Sequence, residues 1–156
     1  MKKKVLSLLL CFASVIVFCS SSVGVNAKTK EKEKDTCKTY ATEVVTLVNE
    51  KREENGLEAL SVSETLTNDA SIRAKEIAKK FSHTRPNGEE WYTLDEDNMY
   101  GENLGKGYTT AQDVFDAWMK SKSHKENILW DDFTQIGVAV YISKDGKYFW
   151  VQEFSY

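Results

Sequence analysis

The sequence contains little histidine, proline or cysteine: two, one and three residues of 156, respectively. Cys11 and Cys19 lie in an N-terminal apolar segment, so a chain trimmed of that segment keeps only Cys37. One cysteine cannot form an internal disulfide, so the fold must rest on a hydrophobic core, which about 130 residues can supply. We expect a monomer, with a Cys37-linked dimer as the open alternative.

Long apolar runs are absent apart from one. Residues 5–18 are apolar, follow the basic residues Lys2, Lys3 and Lys4, and precede the small-residue sequence VNA that ends at Ala27. A run this short falls below the ~20 residues of a spanning helix. The pattern therefore predicts a signal peptide over 1–27, cleaved after Ala27, and a secreted protein that meets the membrane only through that peptide.

Two alternatives to cleavage are weaker. An uncleaved anchor would need a longer apolar run. A lipoprotein would need a small residue immediately before Cys19, where this chain has Phe18.

A basic excess is also missing. Removal of the leader takes away three lysines, so 18 basic residues remain against 24 acidic ones, a net charge of −6. This balance argues against a nucleic-acid partner and against polybasic attachment to anionic lipid.

Residues 28–37 contain lysines interspersed with acidic residues and no large apolar side chain before Cys37. Such a segment has no hydrophobic face to bury, so we interpret it as a solvated linker. The folded domain is then expected at 38–156.

Apolar residues at helical spacing predict three helices in this domain. The first ends before Gly56, a suitable C′ residue. The second begins with Ser61 and Glu64 as a capping box, and the third begins at Thr109 or Thr110. The residues predicted to face inward are, in helix order, Tyr40, Val44, Leu47, Val48; Leu66, Ala70, Ala74, Ile77, Ala78, Phe81; and Ala111, Val114, Phe115, Trp118, Met119.

The C-terminal part has a different pattern. A short helix is predicted around residues 123–129, and residues 82–109 are interpreted mostly as ordered loop. β-Branched and aromatic residues at 133–143 and 147–156, joined by KDG, predict a hairpin. Both of its faces are apolar, so helices must cover both. The predicted fold is a three-layer α/β/α sandwich around a small antiparallel sheet.

Five motifs follow one another in a characteristic order: LVNEKREENGLEAL, RAKEIAKKFSHTRPNG, GENLGKG, AWMKSKSHKENIL and FTQIGVAVY…YFWVQEF. Together they resemble the secreted bacterial branch of the CAP superfamily, which also holds cysteine-rich secretory proteins, antigen 5 and plant pathogenesis-related proteins. The resemblance spans residues 38–154 and implies the same α/β/α sandwich.

The resemblance also implies a cleft lined by two histidines and two acids. His83, Glu102 and His124 match three of these positions. The second acid, three positions after Trp118, is replaced by Ser121. This departure weakens any role that requires two carboxylates.

Three chemistries are open to these residues. Two imidazoles and a carboxylate are ligands that zinc accepts, with a fourth position left to water. Without metal, Glu102 would orient a histidine as a general base. Ser121, three residues before His124, is a candidate nucleophile, although no oxyanion hole can be identified. Alternatively, the histidines only fasten loops.

Other polar and aromatic residues are weaker candidates. The acidic residues at 95–97 lack the spacing of a calcium loop and are expected to be solvated. Trp91, Tyr92, Tyr100 and Tyr108 either line the cleft for a sugar or lipid or pack in the core.

The favoured function is an extracellular binding module whose cleft holds a divalent metal, a lipid-like ligand, a glycan or a peptide. The resemblance implies this, because the family is known more for effectors and ligand binders than for enzymes. The alternative is a hydrolase of peptides or cell-envelope material that uses His83, Glu102 and His124. A purely structural scaffold is the third interpretation.

Overall fold

The computed structural model describes residues 22–156. Four α-helices, one short 3-10 helix and four strands form in this part of the chain: α1 Ser22–Glu54, β1 Ser61–Val62, α2 Glu64–Lys79, a 3-10 helix Trp91–Leu94, β2 Gly101–Lys106, α3 Ala111–Lys120, α4 Lys122–Ile128, β3 Gln135–Ile142 and β4 Tyr148–Ser155. None of the helices described is both long and apolar enough to cross a bilayer. Most of the predicted leader lies outside the described residues, and its cleavage after Ala27 stays a prediction.

The strands form one sheet in the order β1-β3-β4-β2. β3 and β4 are the predicted antiparallel hairpin, and β2 pairs antiparallel to β4. The prediction of a wholly antiparallel sheet is wrong at β1, which pairs parallel to β3. The interpretation of 82–109 as mostly loop is wrong at β2, because GENLGK has too little β-branched or aromatic character to predict a strand.

Helices cover both faces of the sheet, as both apolar faces of the hairpin require. α1 and α3 pack on the face formed by Ile136, Val138 and Trp150. α2 packs on the opposite face, which includes Ala139 and Val151. The predicted α/β/α sandwich is therefore confirmed, and the fold places β2 at one edge of the sheet.

Residues 28–37, interpreted as a solvated linker, lie within the helix α1. Lysine and glutamate favour helix, and a helix already nucleated by packing extends at low cost. Thr36 and Thr39 also donate hydrogen bonds to the carbonyls of Lys32 and Asp35, four residues earlier. The side chains of 28–35 are exposed, as expected. Gly56, with φ of +73°, follows the helix end as predicted.

Two details of the helix predictions need correction. The N-cap of α2 is Ser63, whose Oγ accepts from the Leu66 amide, and Ser61 lies in β1 instead. The inward stripe of α2 ends at Ala78, since Phe81 lies beyond the helix and is 47% exposed. Thr110 is the N-cap of α3, as one of the two alternatives predicted.

Cys37 is half-buried, and burial together with the nearby Glu33 raises the pKa of its thiol. A smaller thiolate fraction makes the thiol less reactive. The Cys37-linked dimer stays an untested prediction.

We expect Gly137→Ala to lower the free energy of unfolding by about 3 kcal/mol or more. A Cβ at this position would lie 2.2 Å from the Leu66 carbonyl carbon and 2.4 Å from the Thr67 nitrogen, so α2 would have to move off the sheet. The measurement is urea unfolding. Gly56→Ala is the control: it meets no atom within 4 Å and suffers only from its positive φ, a cost of about 1 kcal/mol. Equal losses in the two variants would contradict this packing argument.

Candidate functional site

A cavity of about 410 Å³ opens at the sheet edge formed by β2. The loop after α2 contributes His83, β2 contributes Glu102, and α4 contributes His124. The three residues that the sequence singled out therefore line one cavity. The other lining residues are Trp91, Tyr100, Gly101, Ser123, Glu126, Asn127 and Trp130.

Glu102 is held by a buried ion pair with Arg73 of α2. Arg73 Nε donates to Glu102 Oε2 at 2.7 Å, and Arg73 Nη2 donates to Glu102 Oε1 at 3.2 Å. Both side chains are inaccessible to solvent, so the pairing is nearly unscreened. Arg73 also donates to the Ser82 carbonyl and to Glu76 Oε2, and thereby fastens the loop that carries His83 to α2.

The loop is fastened a second time through Glu76. Arg85 Nη2 donates to Glu76 Oε1 at 2.9 Å. Burial would raise the pKa of Glu76, but its hydrogen bonds with Arg85 and Arg73 outweigh that effect and lower it. Glu76 is therefore an anion that links α2 to the loop.

His83 is oriented by the same carboxylate. Its Nδ1 lies 2.8 Å from Glu102 Oε1, while its side chain is 52% exposed. Because a carboxylate accepts hydrogen bonds, Nδ1 carries the proton, and the lone pair of the neutral ring is on Nε2. Nε2 is thus the nitrogen left for a ligand.

Side-chain amides attach α4 to the outer edge of β2. Asn127 Nδ2 donates to the Glu102 carbonyl and to Asn103 Oδ1. Asn103 Nδ2 in turn donates to the His124 carbonyl and to Gln152 Oε1. Asn103 and Asn127 thus fasten α4 to β2, and the network fixes the backbone of His124 beside Glu102.

His124 is half-buried at the cavity wall. Burial lowers its pKa, and the charge of the nearby His83 lowers it further. The neutral imidazole is therefore favoured, which is the form that binds metals.

Ser121 does not line the cavity. It connects the end of α3 to α4, and its Oγ lies 3.5 Å from Ser123 Oγ. The predicted Ser121–His124 dyad has no hydrogen bond among the described residues, since the only partner of Ser121 Oγ there is Ser123. The serine that reaches the cavity is Ser123.

Glu153 is a site residue that the sequence analysis missed. It lies directly opposite Glu102 across β2 and β4, on the same face, and is fully buried. If Glu153 were ionised, neither of its carboxylate oxygens would have a hydrogen-bond donor in the described chain. Burial, then Glu102, then Asp69 raise its pKa well above 4.5, against the opposing effect of Arg73. The protonated, uncharged form of Glu153 is therefore favoured beside the Glu102 carboxylate.

The three predicted zinc ligands do not form a three-ligand site. Within residues 22–156, no group of three or more His, Cys, Asp or Glu side chains is arranged to hold a metal ion. Both oxygens of Glu102 are occupied by Arg73 and His83. Glu102 instead orients His83 through its Nδ1.

Comparison with known proteins agrees with this fold. The profile of the cysteine-rich secretory protein family, CAP, matches residues 45–154. YkwD of Bacillus subtilis (strain 168) is 34% identical over 122 residues, 74% of this chain and 46% of that protein. The chain thus spans about half the length of this curated relative.

Two of the solved structures that share the fold serve as examples. One is an extracellular protein containing an SCP domain from Bacillus anthracis str. Ames, with 23% identity, a TM-score of 0.71, and 80% of this chain and 43% of that chain covered. The other is manganese-bound Ac-ASP-7, with 13% identity, a TM-score of 0.55, and 74% and 68% covered. At these identities the likeness concerns the fold alone.

We expect Glu153→Gln to change the pH dependence of stability. The folded chain holds a proton on Glu153 that the unfolded chain releases above its ordinary pKa of 4.5. Unfolding therefore releases this proton. As the pH rises above 4.5, the contribution of Glu153 to the free energy of unfolding falls by up to about 1.4 kcal/mol per pH unit. The variant should lose this decline and be the more stable protein at neutral pH.

The measurement is the urea unfolding free energy at several pH values. His124, with a lowered pKa, contributes a slope of the opposite sign near its ordinary pKa of 6.5, but equally in both proteins. Glu58→Gln, at an exposed position, is the control and should follow the wild type. Identical pH slopes in the wild type and Glu153→Gln would show that Glu153 is ionised in the folded protein.

Proposed function

Because the chain belongs to the cysteine-rich secretory protein (CAP) family, we propose that it is an extracellular binding module whose cleft binds a divalent metal ion weakly through His83 and His124. The observation that carries the proposal is the hydrogen bond from His83 Nδ1 to Glu102, which directs Nε2 to a ligand. A buried carboxylate behind a histidine raises the basicity of the ring and fixes its orientation.

Two histidine ligands are consistent with weak binding of a metal ion. Structural zinc sites use four protein ligands and catalytic zinc sites use three, so a pair of imidazoles leaves most positions to water or to a ligand. A bound ion would supply a Lewis-acidic centre for an oxygen-bearing ligand. The chain itself contributes neutral imidazoles and their fixed placement by Glu102 and by the amides at the edge of β2.

The alternative function, a hydrolase, has one observation in its favour: Glu102 orients His83 as it would orient a general base. Ser121 lies outside the cavity, and the second carboxylate near Glu102 is the buried acid Glu153, which water does not reach. General-base catalysis would need a base within hydrogen-bond reach of the water or hydroxyl proton that it removes. We therefore propose binding rather than turnover.

Calorimetric titration with zinc chloride tests the proposal. We expect saturable binding of one ion per chain, abolished in His83→Ala/His124→Ala. The chain has two histidines, and the background variant Cys37→Ser removes the one free thiol among the described residues. His83 is half exposed, so its loss should leave the circular dichroism spectrum unchanged.

Ser121→Ala is the matched control and should bind zinc as the wild type does. Absence of heat with the wild type, or equal heats in wild type and the double variant, would refute the metal site.

A further inference from the structure

We propose that this cleft binds an uncharged oligosaccharide of equatorially substituted pyranose units, stacked on Trp130 and Tyr100. The inference rests on the proposed function, since it names the ligand class for the same cleft. Trp91, Tyr100 and Trp130 all line the cavity beside the histidines. Trp130 and Tyr100 are each 46% exposed, although aromatic side chains of this size normally bury most of their surface.

The two exposed rings belong to a series of aromatic side chains in mutual contact. Consecutive ring centroids lie 6.3 Å apart from Trp130 to Phe133, 5.4 Å from Phe133 to Tyr156 and 4.6 Å from Tyr156 to Tyr100. Phe133 is buried and anchors the series, which also stacks on Phe154 at 5.4 Å. The rings therefore lose little freedom when a ligand stacks on them.

The backbone at Trp130 is fixed as well. The guanidinium of Arg52, fully buried, donates to the carbonyls of Ile128 and Trp130 and to that of Phe133. Tyr100 is fixed by its amide, which donates to the Phe154 carbonyl at 2.9 Å. The backbones at Trp130 and Tyr100 are thus fixed before any ligand binds. The exposed rings of these two residues form the aromatic platform.

Charge and polarity narrow the ligand class. No lysine or arginine lines the cavity among the described residues, while Glu102 and Glu126 do, so an anionic ligand is disfavoured. An acyl chain would desolvate His83 and Glu126 without offering them hydrogen bonds in place of water. A sugar has C–H groups that stack on the negative face of a ring, and hydroxyls for Ser123 and the histidines.

A peptide added to the sheet is disfavoured by the edge of β2 itself. A strand docking there needs free carbonyls along the edge. The Glu102 carbonyl already accepts from Asn127 Nδ2, and the Leu104 carbonyl accepts from Trp118 Nε1 at 2.9 Å. The edge is therefore closed to strand addition, and stacking on the exposed rings is the mode of binding that remains.

Tryptophan fluorescence titration with N,N′,N″-triacetylchitotriose and with cellotriose tests the inference. Trp118 and Trp150 are buried, so a change in emission reports Trp91 and Trp130. We expect saturable binding to at least one of the two sugars. Trp130→Ala should weaken it by about tenfold or more, the usual effect of truncating an aromatic anchor, and Trp130→Phe by less. The affinity of Trp130→Ala is measured by calorimetry, because this variant lacks one reporter.

Tyr108→Ala is the matched control, because Tyr108 is exposed beyond the opposite end of β2 and outside the cavity. It should bind the sugars as the wild type does. No saturation with either sugar up to about 10 mM would overturn the inference, and so would unchanged affinity in Trp130→Ala. Sodium oleate and penta-alanine are titrated in the same way. If one of them binds saturably, this binding is lost in Trp130→Ala, and neither sugar binds, the sugar inference is overturned in favour of a lipid or peptide ligand.

Zinc titration of Trp130→Ala separates this inference from the proposed function. Zinc binding should be unchanged in this variant, since Trp130 is not a ligand. If zinc binds but neither sugar does, the sugar inference alone fails. If a sugar binds through Trp130 but zinc does not bind, the metal proposal alone fails.

Discussion

The buried ion pair between Arg73 and Glu102 is the contact on which the geometry of the cleft depends. It joins α2 to the edge strand β2 where neither side chain meets water. Removing one partner of such a pair leaves an uncompensated charge, at a cost of about 3–5 kcal/mol. Helix and strand are therefore locked in one register, and the position of His83 follows from it.

Two further sets of hydrogen bonds bring the other side of the cleft to the same strand. Asn103 and Asn127 attach α4 to the outer edge of β2, and Arg52 holds the segment after α4 by its carbonyls. Three segments distant in sequence thus meet at one sheet edge. The proposed metal and sugar contacts both follow from that convergence, with the histidines on one side and the rings beside them.

The spacing of apolar residues predicted the helices, which bury one face, and the hairpin, which buries both. The helices α2 and α3 and the hairpin β3–β4 formed near the predicted residues, because their apolar spacing has one favourable arrangement. β2 was missed, since its pairing with β4 compensates for weak strand propensity. The helical state of 28–37 was missed because it extends a helix anchored elsewhere.

The sequence by itself determined the α/β/α layers and, through its ordered motifs, that His83, Glu102 and His124 belong together. Only the tertiary structure decided what each of them contacts. Arg73 and Glu153 are distant in sequence from Glu102, and a buried charge acquires its partner only when the helix packs on the sheet. Trp130 likewise became part of the cleft wall because buried Phe133 and Arg52 hold its segment there. Apolar periodicity is local, whereas electrostatic pairing in a low-dielectric interior depends on the assembled fold.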